Sequence, residues 1–165
     1  MQITIKNFQK KIPVYPARIK KTILKILSKE GLKKSGAITV CFVNERKIKE
    51  LNLEYHHKNA PTDVLTFDLS EKGNLLADIV VSTDAAIQNA KSFKTTPFYE
   101  LNLYVIHGIL HLLGYDDKTA KGRKIMQYKA NKILNADFRK SNADIRRFYP
   151  DVICDNLRVI RDYLR

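Results

Sequence analysis

The chain predicts an α+β domain: a small mixed sheet of about four strands, with five to six helices packed mainly on its faces. Three observations lead there. Short runs that alternate in polarity or are rich in β-branched residues recur at 2–7, at 37–43, at the end of the stretch 55–68 and at 75–82. Turn formers in Glu71-Lys72-Gly73-Asn74 separate the last two, which calls for an antiparallel hairpin. Longer stretches between and after these runs space their apolar residues as amphipathic helices do.

In chain order, Gln2-Ile3-Thr4-Ile5-Lys6-Asn7 alternates as a half-buried strand does. Pro16 then opens a helix with Ile19, Ile23, Leu24, Ile26 and Leu27 on one side, a largely basic opposite face, and Gly31 as its stop. Residues 37–43 read as a buried strand, which places Cys41 in the core, and Asn44 caps a short helix to about Leu53. A polar loop from Tyr55 leads into the hairpin. Ser82 or Thr83 caps a helix to about Phe93, and Pro97 opens the next. A further helix spans about 119–134, with Ile125, Met126, Ile133 and Leu134 on its apolar side. Beyond it, 142–165 shows helical spacing broken near Pro150.

With 165 residues, 44% hydrophobic and 28% charged, residues 1–165 form one domain with a real core. No run approaches the ~20 apolar residues that span a bilayer, and the start lacks the apolar block of a signal peptide, so a cytoplasmic protein without membrane attachment is expected. Cys41 and Cys154 are too few and too far apart for a disulfide framework or a sulfur-ligated zinc site. Thirty Lys and Arg against seventeen Asp and Glu give a net charge of +13, which favours a polyanionic partner, nucleic acid first.

The chemistry concentrates in His107-Gly108-Ile109-Leu110-His111-Leu112-Leu113-Gly114-Tyr115-Asp116-Asp117. Two histidines four apart leave a helix on the same face and can grip one metal ion. Gly114 then stops the helix and swings the acidic pair Asp116-Asp117 back toward the imidazoles. Two imidazoles and a carboxylate make a common zinc set with a fourth position open. The plain alternative is a pair of partly buried histidines without a ligand. Against it stand the glycine stop, the acidic pair, and the clustering of all four histidines here or at His56-His57. The helical zinc-peptidase motif has a glutamate where Gly108 stands, and glycine takes no proton, so a peptidase is disfavoured.

What the stretch resembles is the H-G-x-L-H-L-x-G-Y-D-H signature of the YbeY family, bacterial ribosomal-RNA maturation factors regarded as metal-dependent endoribonucleases. Tyr55, Lys58, Pro61, Thr62, Asp63, Val64, Leu65 and Phe67 are similar to its second signature, Y-R-x-K-D-x-P-T-D/N-V-L-S-F. Ala77-Asp78-Ile79-Val80-Val81-Ser82 resembles its strand G-D-I-V-I-S, and Glu100 matches an acidic residue ahead of the histidine helix. The likeness covers about 40–134, which leaves 135–165 as a divergent C-terminal extension. Two departures fall where chemistry would be: Asp117 stands for the final histidine, the family's third ligand, and His56 for an arginine expected to meet RNA phosphate.

The resemblance implies a metal, zinc or another divalent ion, on His107, His111 and Asp117. It also implies attack by a metal-activated water on an RNA phosphodiester and phosphate contacts from His56 and Lys58. Asp116 competes with Asp117 as ligand but matches the family's own aspartate. The partners implied are ribosomal RNA and the ribosomal subunit. A binding factor with little nuclease activity, and a metal-dependent hydrolase of small substrates, are the alternatives.

Overall fold

The computed structural model describes residues 1–31, 35–71 and 73–140. Cys154 and the helical spacing expected within 142–165 lie outside them. The elements are β1 (Gln2–Asn7), α1 (Pro16–Lys29), β2 (Gly36–Val43), α2 (Glu45–His56), β3 (Val64–Asp68), β4 (Leu75–Ser82), α3 (Thr83–Phe93), α4 (Pro97–Leu112) and α5 (Ala120–Lys140). One mixed sheet takes the order β1-β2-β4-β3, with β1, β2 and β4 parallel and β3 antiparallel to β4. The expected hairpin pairs Val64 with Val81 and Asp68 with Ala77.

Strand alternation divides the core. Ile38, Val40 and Phe42 of β2, with Ala77, Ile79 and Val81 of β4, face α1, α4 and α5. On the opposite face Val43, Leu65 and Val80 meet Ile48 of α2, with Leu51, Phe67 and Cys41 only partly covered. Cys41 is thus half-buried on the thinner face rather than central. Burial raises its thiol pKa, which keeps it protonated and unreactive.

Periodicity placed the helices well but misjudged some faces and ends. In α1 the buried stripe is Ile19, Thr22, Ile23, Ile26 and Leu27, and Leu24 points outward. In α5, Met126, Ala130 and Leu134 form the buried line, and Ile125 is exposed. Helix α5 continues past Leu134 because nothing in Asn135-Ala136-Asp137-Phe138-Arg139-Lys140 breaks a helix. Similarly, α2 runs on to His56. Its stop is His57 in the left-handed region, at φ 57°, a place usually given to glycine.

Helix α4 lies deepest. Leu101, Ile106, Ile109 and Leu110 are wholly enclosed, and Gly108 is where the helix backbone rests on Thr66 and Ile79 of the sheet. Thr96 caps its start by accepting a hydrogen bond from the Tyr99 amide at 3.0 Å, and Pro97 supplies the first turn. Among the described residues no helix is long and apolar enough to cross a membrane.

Candidate metal centre

Helix α4 presents Glu100, Tyr104, His107 and His111 at steps of four, three and four, a single stripe on one face. The stripe looks toward the head of β3, where Asp63 acts electrostatically on Glu100, Tyr104 and His107. His107 is half-buried, and its Nε2 is fully enclosed with no hydrogen-bond partner. A buried imidazole nitrogen costs about 1–3 kcal/mol when it is left without a partner. Burial drives the His107 pKa down, Asp63 and Asp117 work the other way, and His111 adds to the lowering. The outcome is a neutral imidazole, the form that ligates a metal.

His111 is oriented by the end of its own helix. Gly114, at φ 82°, takes the left-handed conformation. Its amide donates to the His111 carbonyl at 2.9 Å, and the Tyr115 amide donates to Leu110 at 3.0 Å. This two-bond stop brings the Tyr115 carbonyl to 3.2 Å from His111 Nδ1. A carbonyl only accepts, so Nδ1 carries the proton and Nε2 keeps its lone pair, as in metal-bound histidines whose second nitrogen is fixed by a carbonyl.

The acidic pair divides as the turn suggests. Asp116 Oδ1 accepts the Lys118 amide at 2.7 Å, and Oδ2 lies 3.9 Å from the Lys118 ammonium. The Asp117 carbonyl is held by Arg123 at 3.0 Å, while its exposed carboxylate has no partner among the described residues. Asp117 is therefore the free carboxylate of the two. Among the described residues no three His, Cys, Asp or Glu side chains stand close enough to form a finished metal set. The orphaned Nε2 of His107, the fixed tautomer of His111 and the free Asp117 carboxylate nevertheless fit a divalent ion in their chemistry.

His56 ends α2 and Lys58 follows its left-handed stop, and no hydrogen bond or ion pair among the described residues ties either to the histidines. The His56 ring lies 6.1 Å from Phe67 at an interplanar angle of 18°. The loop after it leads to Asp63, whose Oδ1 accepts from the Val64 amide at 2.9 Å and from the Thr62 hydroxyl at 3.1 Å.

Asp63 and Tyr104 were not among the sequence's site candidates, and Glu100 entered only by resemblance. Glu100 is 3% exposed and accepts a very short hydrogen bond from the Thr95 hydroxyl. Tyr104, which hydrogen-bonds Glu100, takes another at 2.7 Å from the Asn89 amide. The stripe of polar residues at helical spacing was the signal for these two. Asp63 was marked only by its place in the second signature, where it reads as a turn residue after Pro61; its proximity to α4 comes from the sheet.

The family model described as Endoribonuclease YbeY matches residues 4–137. A Carboxydothermus hydrogenoformans protein named Endoribonuclease YbeY is 35% identical over 137 residues, 80% of this chain and 94% of the relative. A protein of that name from Moorella thermoacetica is 35% identical over 150 residues, 81% and 96% of the two chains. A solution structure from Thermotoga maritima superposes with TM-score 0.63 at 33% identity, over 87% of this chain and 93% of that one.

Proposed function

The chain belongs to the YbeY family of endoribonucleases, and from that premise we propose that it is a metal-dependent endoribonuclease cutting single-stranded RNA in ribosomal RNA maturation and ribosome quality control, in the cytoplasm. The observation that carries the site is the buried, partnerless Nε2 of His107 one helical turn from His111, whose other nitrogen is already committed. His107, His111 and Asp117 would hold the ion. Zinc suits two imidazoles and a carboxylate, and the harder oxygen ligand extends the choice to magnesium or manganese. When bound, such an ion supplies Lewis acidity and acidifies a water toward neutral pH.

The chain's own residues do the rest. Burial keeps His107 neutral, the Tyr115 carbonyl keeps the lone pair of His111 on Nε2, and Asp117 brings the negative charge that a third imidazole would not. Lys58 is the permanent cation of the α2 loop and steadies the substrate phosphate, with an edge N–H of His56 beside it. A peptidase-style base on α4 is absent, since Gly108 occupies that position.

A second reading, a maturation factor that binds RNA without cutting it, draws on the exposed position of Asp117 and the unfinished ligand set. End-labelled single-stranded ribosomal RNA, incubated with highly purified protein, separates the two. Cleavage is expected, chelator should stop it, and zinc or manganese should restore it, while a duplex control stays whole. RNA retained in a gel shift but uncut with every metal would favour the binding factor. Cleavage undiminished by chelator would remove the metal from the reading.

A further inference from the structure

We propose that the exposed end of α2 is a docking site for an unpaired nucleobase of the RNA strand, formed by the rings of Tyr55 and His56 on Phe67. This rests on the ribonuclease reading and names how that substrate is gripped. Residues 53–61 are exposed throughout, and Tyr55 is 56% and Leu53 47% open to solvent. The segment is nevertheless tightly held. Buried Asn52 donates from its side chain to the Ala60 carbonyl at 2.7 Å, and its own carbonyl accepts the Lys58 amide at 3.2 Å. His57 is held left-handed at φ 57°, a conformation that costs a non-glycine residue free energy and persists only where the surroundings impose it.

The rings on this knuckle have fixed places. Phe67 sits at its base, partly covered by the cluster around Leu65 and Ile48. Tyr55 meets it edge-on, with centroids 5.0 Å apart at 65°, and His56 lies nearly parallel above it at 18°. The outer faces of Tyr55 and His56 are left to solvent in a set orientation. A platform that needs no ordering when a base arrives loses little entropy on binding.

Charge selects the occupant. Arg46 and Lys47 both pair with Glu50, at 3.1 Å and 3.3 Å. Lys49 and Lys58 have no ion-pair partner among the described residues. Lys49, Leu53 and His56 follow one another at helical spacing and Lys58 lies two residues past His56, so along the chain a cation stands on either side of the rings, with the Glu54 carboxylate next to Tyr55. A few rings among cations are too small and too charged for the core of a protein interface, which takes about 800 Å² per partner. They match a strand that alternates bases with phosphates. From His57 the chain needs only six residues to reach Asp63, about 20 Å at most when extended, so a base held here leaves its neighbouring phosphates within a few nucleotides of the histidine pair. Duplex RNA keeps its bases stacked inside and cannot use such a platform.

The test is a binding titration of single-stranded RNA carrying 2-aminopurine at successive positions, with chelator present so that the strand is not cut. The parent should quench the probe at one or two positions. Tyr55→Leu and His56→Leu should abolish that quench and weaken binding about tenfold. Tyr55→Phe should keep both, because the ring rather than the hydroxyl is used. An abasic site at the quenched position should bind the parent as weakly as intact RNA binds Tyr55→Leu. If Tyr55→Leu matches the parent in affinity and quench, or the parent binds a duplex of equal length as well as a single strand, the platform is overturned while the ribonuclease reading stands. No RNA binding by the parent would overturn both.

Discussion

An ideal Cβ on Gly108 would lie 2.7 Å from Cγ2 of Ile79 and 3.1 Å from Oγ1 of Thr66, so the position that carries the base in helical zinc peptidases is occupied here by the contact between helix and sheet. The carboxylates that act on His107 are Asp63 and Asp117 instead. Of the two turn residues, Asp116 is spent on the Lys118 amide and Asp117 is not. Asp117→Ala should therefore lower metal occupancy much more than Asp116→Ala, and Asp117→His should retain metal. Metal analysis of the purified variants decides it, and parental occupancy in Asp117→Ala would show that the site is built otherwise. Glu100 makes a pH-dependent prediction. Burial raises its pKa above 4.5, hydrogen bonds from Thr95 and Tyr104 pull it back, and Asp63 pushes it up again. The folded state thus holds this proton more tightly than the unfolded chain does. The stabilisation it gives is complete below the unfolded value and is lost as pH rises through the folded one. Glu100→Gln should remove that loss, so in urea melts the variant should gain stability relative to the parent as pH rises above about 4.5. A difference independent of pH would mean that Glu100 titrates as it does in the unfolded chain.

The turn after α4 is positioned by elements far from it in sequence. The Tyr115 hydroxyl donates to Glu30 at the end of α1 at 2.9 Å, and Lys129 of α5 pairs with Glu30 at 2.8 Å. The same ammonium sits 4.3 Å from the centre of the Tyr115 ring and hydrogen-bonds its hydroxyl. With the Tyr115 carbonyl on His111, these contacts fix the segment that carries Asp117. The ion pair is about one-third exposed, so its contribution to folding is small, about 1 kcal/mol or less. Its expected effect is on the placement of the proposed ligand Asp117. Lys129→Met should weaken zinc binding several-fold in calorimetric titration and leave the melting temperature nearly unchanged, and Lys129→Arg should recover part of the affinity. Equal zinc affinity in Lys129→Met and the parent would show the turn to be set by Gly114 and Tyr115 alone. Nothing local announces this arrangement. The sequence shows the start of α4 through Pro97, its end through Gly114 and the histidine pair on one face through its spacing, because each depends on residues a turn apart. That β4 lies between β2 and β3, that Asp63 faces His107, and that Glu30 and Lys129 meet over Tyr115 are consequences of tertiary packing, which periodicity does not encode. The left-handed stop at His57 escaped for another reason: the usual glycine is not there.

At the scale of the whole molecule, the thirteen-charge excess and the α2 knuckle make separable contributions to one substrate. Neutralising phosphates releases counterions, so the logarithm of affinity for a single strand falls with the logarithm of salt at a slope of about −0.7 per phosphate contact. A strand held at about four phosphates would lose roughly fifty-fold between about 50 mM and about 200 mM salt. Base stacking releases few ions and should hardly change over that range. The two terms can therefore be read from one set of titrations. Lys58→Gln should flatten the slope by about 0.7, whereas Tyr55→Leu should lower affinity by a similar factor at every salt concentration and leave the slope alone. A parent slope near zero would mean that the basic surface meets no phosphate, and nucleic acid would no longer be its partner. A steep slope that Tyr55→Leu also flattens would mean that the knuckle acts by placing Lys58 rather than by stacking.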